Sequence, residues 1–217
     1  MPFKKDDIIK YQQQNHLCKI YLYRKKNLAG IGNGFFCLIP YPDKNHLIHV
    51  LITTYRAINE KYITENKEII LTLNNDKVKR TIKIDKNRKI YLSKENDTVI
   101  IEIIPEKDKI NNFLELDEKS FNENQDEIMN QNKIYLICYG KENKMDMYEG
   151  IIKEINGKYI YHISDTESGS GGCPILSLNN FKVIGIHLGR TEQEYKRGIL
   201  INAPLIEFMS GEQFFSL

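Results

Sequence analysis

The stretch SDTESGSGGCPIL, residues 164–176, sets Ser168, Ser170 and Cys173 among Gly169, Gly171 and Gly172, directly ahead of a proline and an apolar run. A hydroxyl or thiol on a glycine-rich elbow is where a serine or cysteine nucleophile would be expected. Such a group is weak alone: it needs a base within about 2.6–3.2 Å to take its proton, and a third group to hold that base in the right tautomer. Cys173 is intrinsically the better nucleophile, but it precedes Pro174 at the start of a strand, a place for a small buried packing residue. Ser168 and Ser170 otherwise read as polar turn residues. The histidines that could supply a base are His16, His46, His49, His162 and His187.

Residues 3–14, FKKDDIIKYQQQ, predict a helix, polar but anchored by Phe3, Ile8 and Ile9. From there the chain reads as short runs rich in β-branched and aromatic residues, punctuated by Gly, Asn, Asp and Pro. The first series is 16–24, 32–40, 46–54, 67–74, 80–85, 89–93 and 98–104; the second is 133–140, 147–155, 158–164, 173–178, 182–189 and 197–203. This spacing predicts a β-sandwich or barrel. The polar segment 107–132 is the most linker-like, so the chain divides into two β units, 15–106 and 130–205, within one domain of 1–217 and with a crevice between them. PLIEFM, 204–209, predicts a final short helix. GIGNG at 30–34 has alternate glycines but no following helix; it reads as a turn leading into a strand, not a dinucleotide loop.

At 217 residues and 41% apolar composition the chain can bury a core, and with 31 basic and 29 acidic residues it has a net charge of only +2. Nucleic acid is therefore not an expected partner, since that requires a clustered basic face. RKK at 24–26 reads as a solvated hairpin end. No apolar window approaches the ~18 residues of a membrane span, and the N-terminus lacks the apolar core of a secretory signal. Cys18, Cys37, Cys138 and Cys173 are widely spaced, with no CxxC pair, and read as buried free thiols in a reducing, cytoplasmic setting. No metal and no cofactor is expected.

GNGFFC, LITTYRAIN, NDTVIIEI, GSGGCPIL and VIGIHLG occur in this order. Across roughly residues 28–207 they resemble the landmarks of chymotrypsin-like serine peptidases, nearest to the trypsin-like proteins related to glutamyl-specific endopeptidases. The resemblance implies an all-β fold of two six-stranded antiparallel β-barrels, with a short helix at each end. Gly32, Gly34 and Phe35 match the first motif. The position of the histidine base falls on Arg56, that of the orienting aspartate on Asp97, and that of the nucleophile, counted back from Pro174, on Gly171. The resemblance implies an oxyanion hole from the amides of Gly169 and Gly171. It implies a recognition pocket for acidic side chains around His187, with Gly189 and Asp165.

The departures from that pattern carry the functional expectation. Arginine stays protonated and takes no proton, and glycine has no side chain. Loss of triad members leaves only about 10³–10⁴-fold over water. The expectation is a peptidase homologue without peptidase activity, binding a peptide or protein partner, alone or in a larger assembly. Arg56 is expected to form a charge-assisted bond with Asp97 in place of the His–Asp pair. The alternative is an active serine endopeptidase with a preference for acidic residues, using Ser170 as a displaced nucleophile. No histidine is a convincing stand-in base: His46 and His49 lie before the LITT strand, His16 begins the first strand, and His162 reads as a core or surface residue. Tyr55 is too weak a base. A Ser170 hydroxyl beside an imidazole, with both facing the gap between the units, would overturn the inactive reading.

Overall fold

The computed structural model describes residues 5–40, 46–121, 128, 133–140, 142, 144–191 and 195–211. Helix α1 (Lys5–Asn15) buries Ile9 and Gln12, while Phe3 lies outside the described residues. The first unit comprises β1 (Leu17–Arg24), β2 (Asn27–Pro40), β3 (Leu47–Thr53), α2 (Glu60–Glu65), β4 (Glu68–Leu73), β5 (Val78–Lys83), β6 (Ile90–Ser93) and β7 (Thr98–Glu102). Its strands form one seven-stranded antiparallel sheet, ordered β5-β4-β1-β2-β3-β7-β6. This differs from the six-stranded barrel implied by the resemblance. All seven apolar runs of the first series pair, and β5 and β6 are the two ends of the sheet.

The second unit comprises β8 (Lys133–Tyr139), β9 (Met145–Asn156), β10 (Tyr159–Ser164), β11 (Pro174–Ser177), β12 (Val183–Arg190) and β13 (Lys196–Leu200). These close into a six-stranded barrel, β10-β13-β12-β11-β8-β9. The chain then enters α4 (Asn202–Ser210), the expected final helix, which buries Pro204, Leu205 and Phe208. No described helix is long and apolar enough to cross a membrane.

Two local expectations change. GIGNG is not a turn: it lies inside β2, where alternation puts Gly30, Gly32 and Gly34 on one face. A Cβ on Gly34 would meet Leu51 at 2.9 Å and Ile20 at 3.0 Å, so the glycine leaves room for side chains of the flanking strands β3 and β1. The turn is instead Lys25–Lys26, with φ of 48° and 68°, the left-handed pair that a two-residue hairpin needs. His49 lies within β3, its ring 4.5 Å from that of Phe113, whereas His46 precedes the strand.

The linker-like segment is a packed strap over its described part. After α3 (Pro105–Asp108), the amide of Leu114 donates to Phe36 O at 2.8 Å and that of Leu38 to Leu114 O at 3.0 Å. Two residues on, Asp117 N–H donates to Val183 O and Val183 N–H to Glu115 O, both at 2.9 Å. The strap thus pairs with β2 and then with β12, tying the units together. Alternation sends Leu114 and Leu116 inward while charged neighbours mask them in the composition. A single apolar cluster likewise draws on both units, including Phe35 and Ile52 from the sheet and Tyr135, Leu176 and Ile186 from the barrel. Beneath the sheet, Arg88 makes a bidentate, fully buried pair with Asp108 at 2.8 and 3.0 Å and also donates to Glu102 O and Lys83 O.

Candidate functional site

β3 ends at Thr53, and the turn that follows presents Arg56. Across from it, Asp97 closes the β6–β7 hairpin at φ 47°, a left-handed conformation that Asp tolerates better than most residues. Arg56 engages both carboxylate oxygens of Asp97: its amide donates to Oδ1 at 3.0 Å and its Nε to Oδ2 at 2.6 Å. Its Nη2 donates to the carbonyl of Leu188, on β12. The side chain is 63% exposed, so the pair contributes little stability, but it fixes where the guanidinium sits.

The elbow comes from the second unit. Glu167–Ser170 makes a turn closed by Ser170 N–H to Glu167 O at 3.4 Å, with Gly169 at φ 94°. Asn33 on β2 clamps it. The Nδ2 group of Asn33 donates to Gly169 O at 2.8 Å and Tyr139 O at 3.2 Å, and its Oδ1 accepts from Tyr139 N–H at 2.7 Å. Sequence reasoning missed this buried residue; its one signal is an asparagine where two glycines line a strand. Gly172 has φ 92°, and a Cβ there would stand 2.5 Å from Asn33 O, so only glycine fits. Gly171 is different: a Cβ there would lie 3.5 Å from Arg56 Nη2 and 3.6 Å from Leu188 O, in ordinary contact. A serine would fit, yet none is present.

Ser170 has the contact that sequence reasoning did not assign to any histidine. Its Oγ lies 3.1 Å from His187 Nε2. The direction of the bonds decides what this does. Ser170 donates to Glu167 O at 2.7 Å, an arrangement that suits a His187 tautomer with its proton on Nε2, which also lies 3.4 Å from Thr166 Oγ1. Nδ1 of His187 then accepts from His162 Nε2–H at 3.2 Å, and Nδ1 of His162 accepts from Ser164 at 3.2 Å. In that tautomer the imidazole cannot take a proton from Ser170, and among the described residues no carboxylate is bonded to it. Both side chains line the cleft floor but are sealed, Ser170 at 2% exposure and His187 at 0%. The hydroxyl therefore stands beside an imidazole on the cleft lining, with little of either residue exposed. His162, expected as a bland strand residue, is the inner half of this relay.

Burial lowers His162 to about 4, helped by Lys196. Burial, then the neighbouring His162, Lys196 and Arg56, hold His187 well below its ordinary value. His187 is thus neutral near pH 7. Cys173 is buried against Cys138, and burial pushes its thiol well up, so it offers no thiolate. Asp165, Gly169, Gly171, His187 and Gly189 all line one cleft of about 860 Å³ with Arg56 at its wall. Gly189, at φ 119°, sits at an irregularity in the β12–β13 ladder. The position aligned with a nucleophile, the position aligned with a base and the orienting aspartate are therefore gathered at one place, with Arg56 and Gly171 occupying the first two.

Residues 50–210 match the Peptidase S39 family. The chain belongs to that family. Solved serine proteases share the S39 chain's fold at low identity. A serine endoprotease from Yersinia pestis superposes with a TM-score of 0.66 at 11% identity, covering 98% of this chain and 69% of that one. The inactive form of the Rv3671c protease gives 0.62 at 14% identity, over 97% and 98% of the two chains. The active form of Rv3671c from M. tuberculosis gives 0.63 at 12%, over 97% and 86%. No curated protein sequence matches the S39 chain. The S39 chain is thus a trypsin-like serine peptidase homologue with a closed β-barrel and a second antiparallel sheet.

Proposed function

We propose that this chain binds a peptide or protein in the cleft between its two β units and does not cut it. The observation that carries the reading is Arg56, held by Asp97 and standing over a glycine. A protonated guanidinium at the base position and no oxygen at 171 leave no proton acceptor and no nucleophile in line. The recognition pocket of the glutamyl-specific branch supports a preference for acidic or amide side chains. Here the matching residue, His187, is neutral and sits on the cleft lining against Ser170, with Asp165 and Gly189 in the same lining. The natural setting of this reading is cytoplasmic, with a peptide or protein partner that is free or part of a larger assembly.

The contact between Ser170 and His187 favours a second reading, an active endopeptidase with a displaced nucleophile. One experiment separates them: incubating the full chain with a fluorophosphonate across mildly acidic to mildly alkaline pH and mapping adducts by mass spectrometry. No adduct at Ser170 is expected. Stoichiometric modification there would replace the binding reading with the enzymatic one.

A further inference from the structure

We propose that the cleft takes the end of a chain: Arg56, with the amides of Gly169 and Gly171, receives a peptide's C-terminal carboxylate. This rests on the reading of the cleft as a non-cutting peptide site and names the class of its ligand. Arg56 Nη2 bonds to Leu188 O and stands 3.5 Å from the place of a Cβ on Gly171. Non-bonded heavy atoms need about 3.5–4.0 Å on each side, so no backbone passes between the guanidinium and the elbow. A chain laid along β12 as an added strand reaches Leu188 and must stop or displace Arg56 from Asp97.

The groups at that stop suit an anion. Among the described residues the N–H groups of Gly169 and Gly171 have no acceptor, and neighbouring amides in a turn form a concave anion site. Arg56 spends Nε on Asp97 and Nη2 on Leu188, while Nη1 has no acceptor among the described residues. One carboxylate oxygen on the amides and the other on Nη1 gives a charge-assisted pair that an internal peptide carbonyl cannot make. Arg190 and Lys196 also line the cleft. Of its two acidic residues, Asp165 and Glu167, the second turns its carboxylate toward Gly140.

The test titrates the ¹⁵N-labelled full chain with a mixed-sequence pool of N-acetylated pentapeptides. The pool is used once as free C-terminal acids and once as C-terminal amides. The acid pool is expected to bind about tenfold tighter or more, with downfield shifts of the Gly169 and Gly171 amide protons. Arg56→Gln is expected to bring the two pools to the same affinity while the rest of the spectrum keeps its dispersion. Equal binding of both pools to the native chain overturns the chain-end site but leaves a peptide cleft. Binding of neither pool overturns both readings. Acetate alone, moving the same amides with the affinity of the acid pool, would show an adventitious anion site and overturn the proposal.

Discussion

Arg56 and Gly171 show how two residues decide chemistry without deciding fold. The Arg56–Asp97 pair is largely solvated, and exposed pairs contribute about 0–1 kcal/mol. Its consequence is positional, since the guanidinium fills the space where a base would work. Gly171 is not at positive φ, and its neighbours leave room for a side chain. Arg56→His combined with Gly171→Ser is therefore expected to acquire fluorophosphonate labelling at the introduced hydroxyl, with neither single change sufficient. An unlabelled, folded double variant would show that the elbow itself is misplaced for catalysis. Both substitutions were legible in the sequence because they sit inside ordered motifs. The pairing of Ser170 with His187 was not, because the two residues are 17 positions apart and meet only when β12 pairs back across the elbow.

At the scale of elements, the elbow depends on how closely β2 approaches it. Gly172 adopts φ 92° with Asn33 O in the space of a Cβ. Gly172→Ala is expected to destabilise the chain by about 2 kcal/mol or more, combining left-handed strain with a backbone clash. A fall in the urea midpoint with unchanged slope would measure it; a neutral result would mean that β2 and the elbow part freely. The strands and end helices were legible, since alternation and punctuation survive in a single sequence. The strap through Leu114 and Leu116 was not. Its inward residues are too few to outweigh the charges between them, and its hydrogen bonds go to β2 and β12, far away in sequence. The glycines of β2 misled for a related reason: alternate glycines signal a turn locally, while here Gly34 makes room for side chains of the flanking strands.

Across the whole molecule, three histidines are buried neutral. His16 and His162 are lowered to about 4, first by burial, and His187 lies well below its usual value. An unfolded chain protonates its histidines near 6.5, so between about pH 6.5 and 4 the unfolded state binds more protons than the folded one. Stability is complete above that window and declines on acidification through it. The slope is up to about 1.4 kcal/mol per pH unit for each histidine. Urea unfolding at about pH 7.5, above that window, and about pH 5, inside it, is expected to show the loss, and His162→Gln to flatten it. Equal stability at the two values would mean that the imidazoles are already charged in the folded core.

Residue order alone determined the all-β class, the two series of strands, the chymotrypsin-like landmarks and the absence of a base at 56 and a hydroxyl at 171. These are properties of type and spacing, which local backbone preference and hydrophobic period express directly. Tertiary structure decided the seventh paired strand, the Asn33 clamp, the direction of protons along Ser164–His162–His187–Ser170, and the closing of the cleft by Arg56 on Leu188. Each depends on distances of a few ångström between segments far apart in the chain, and only the packed core sets those.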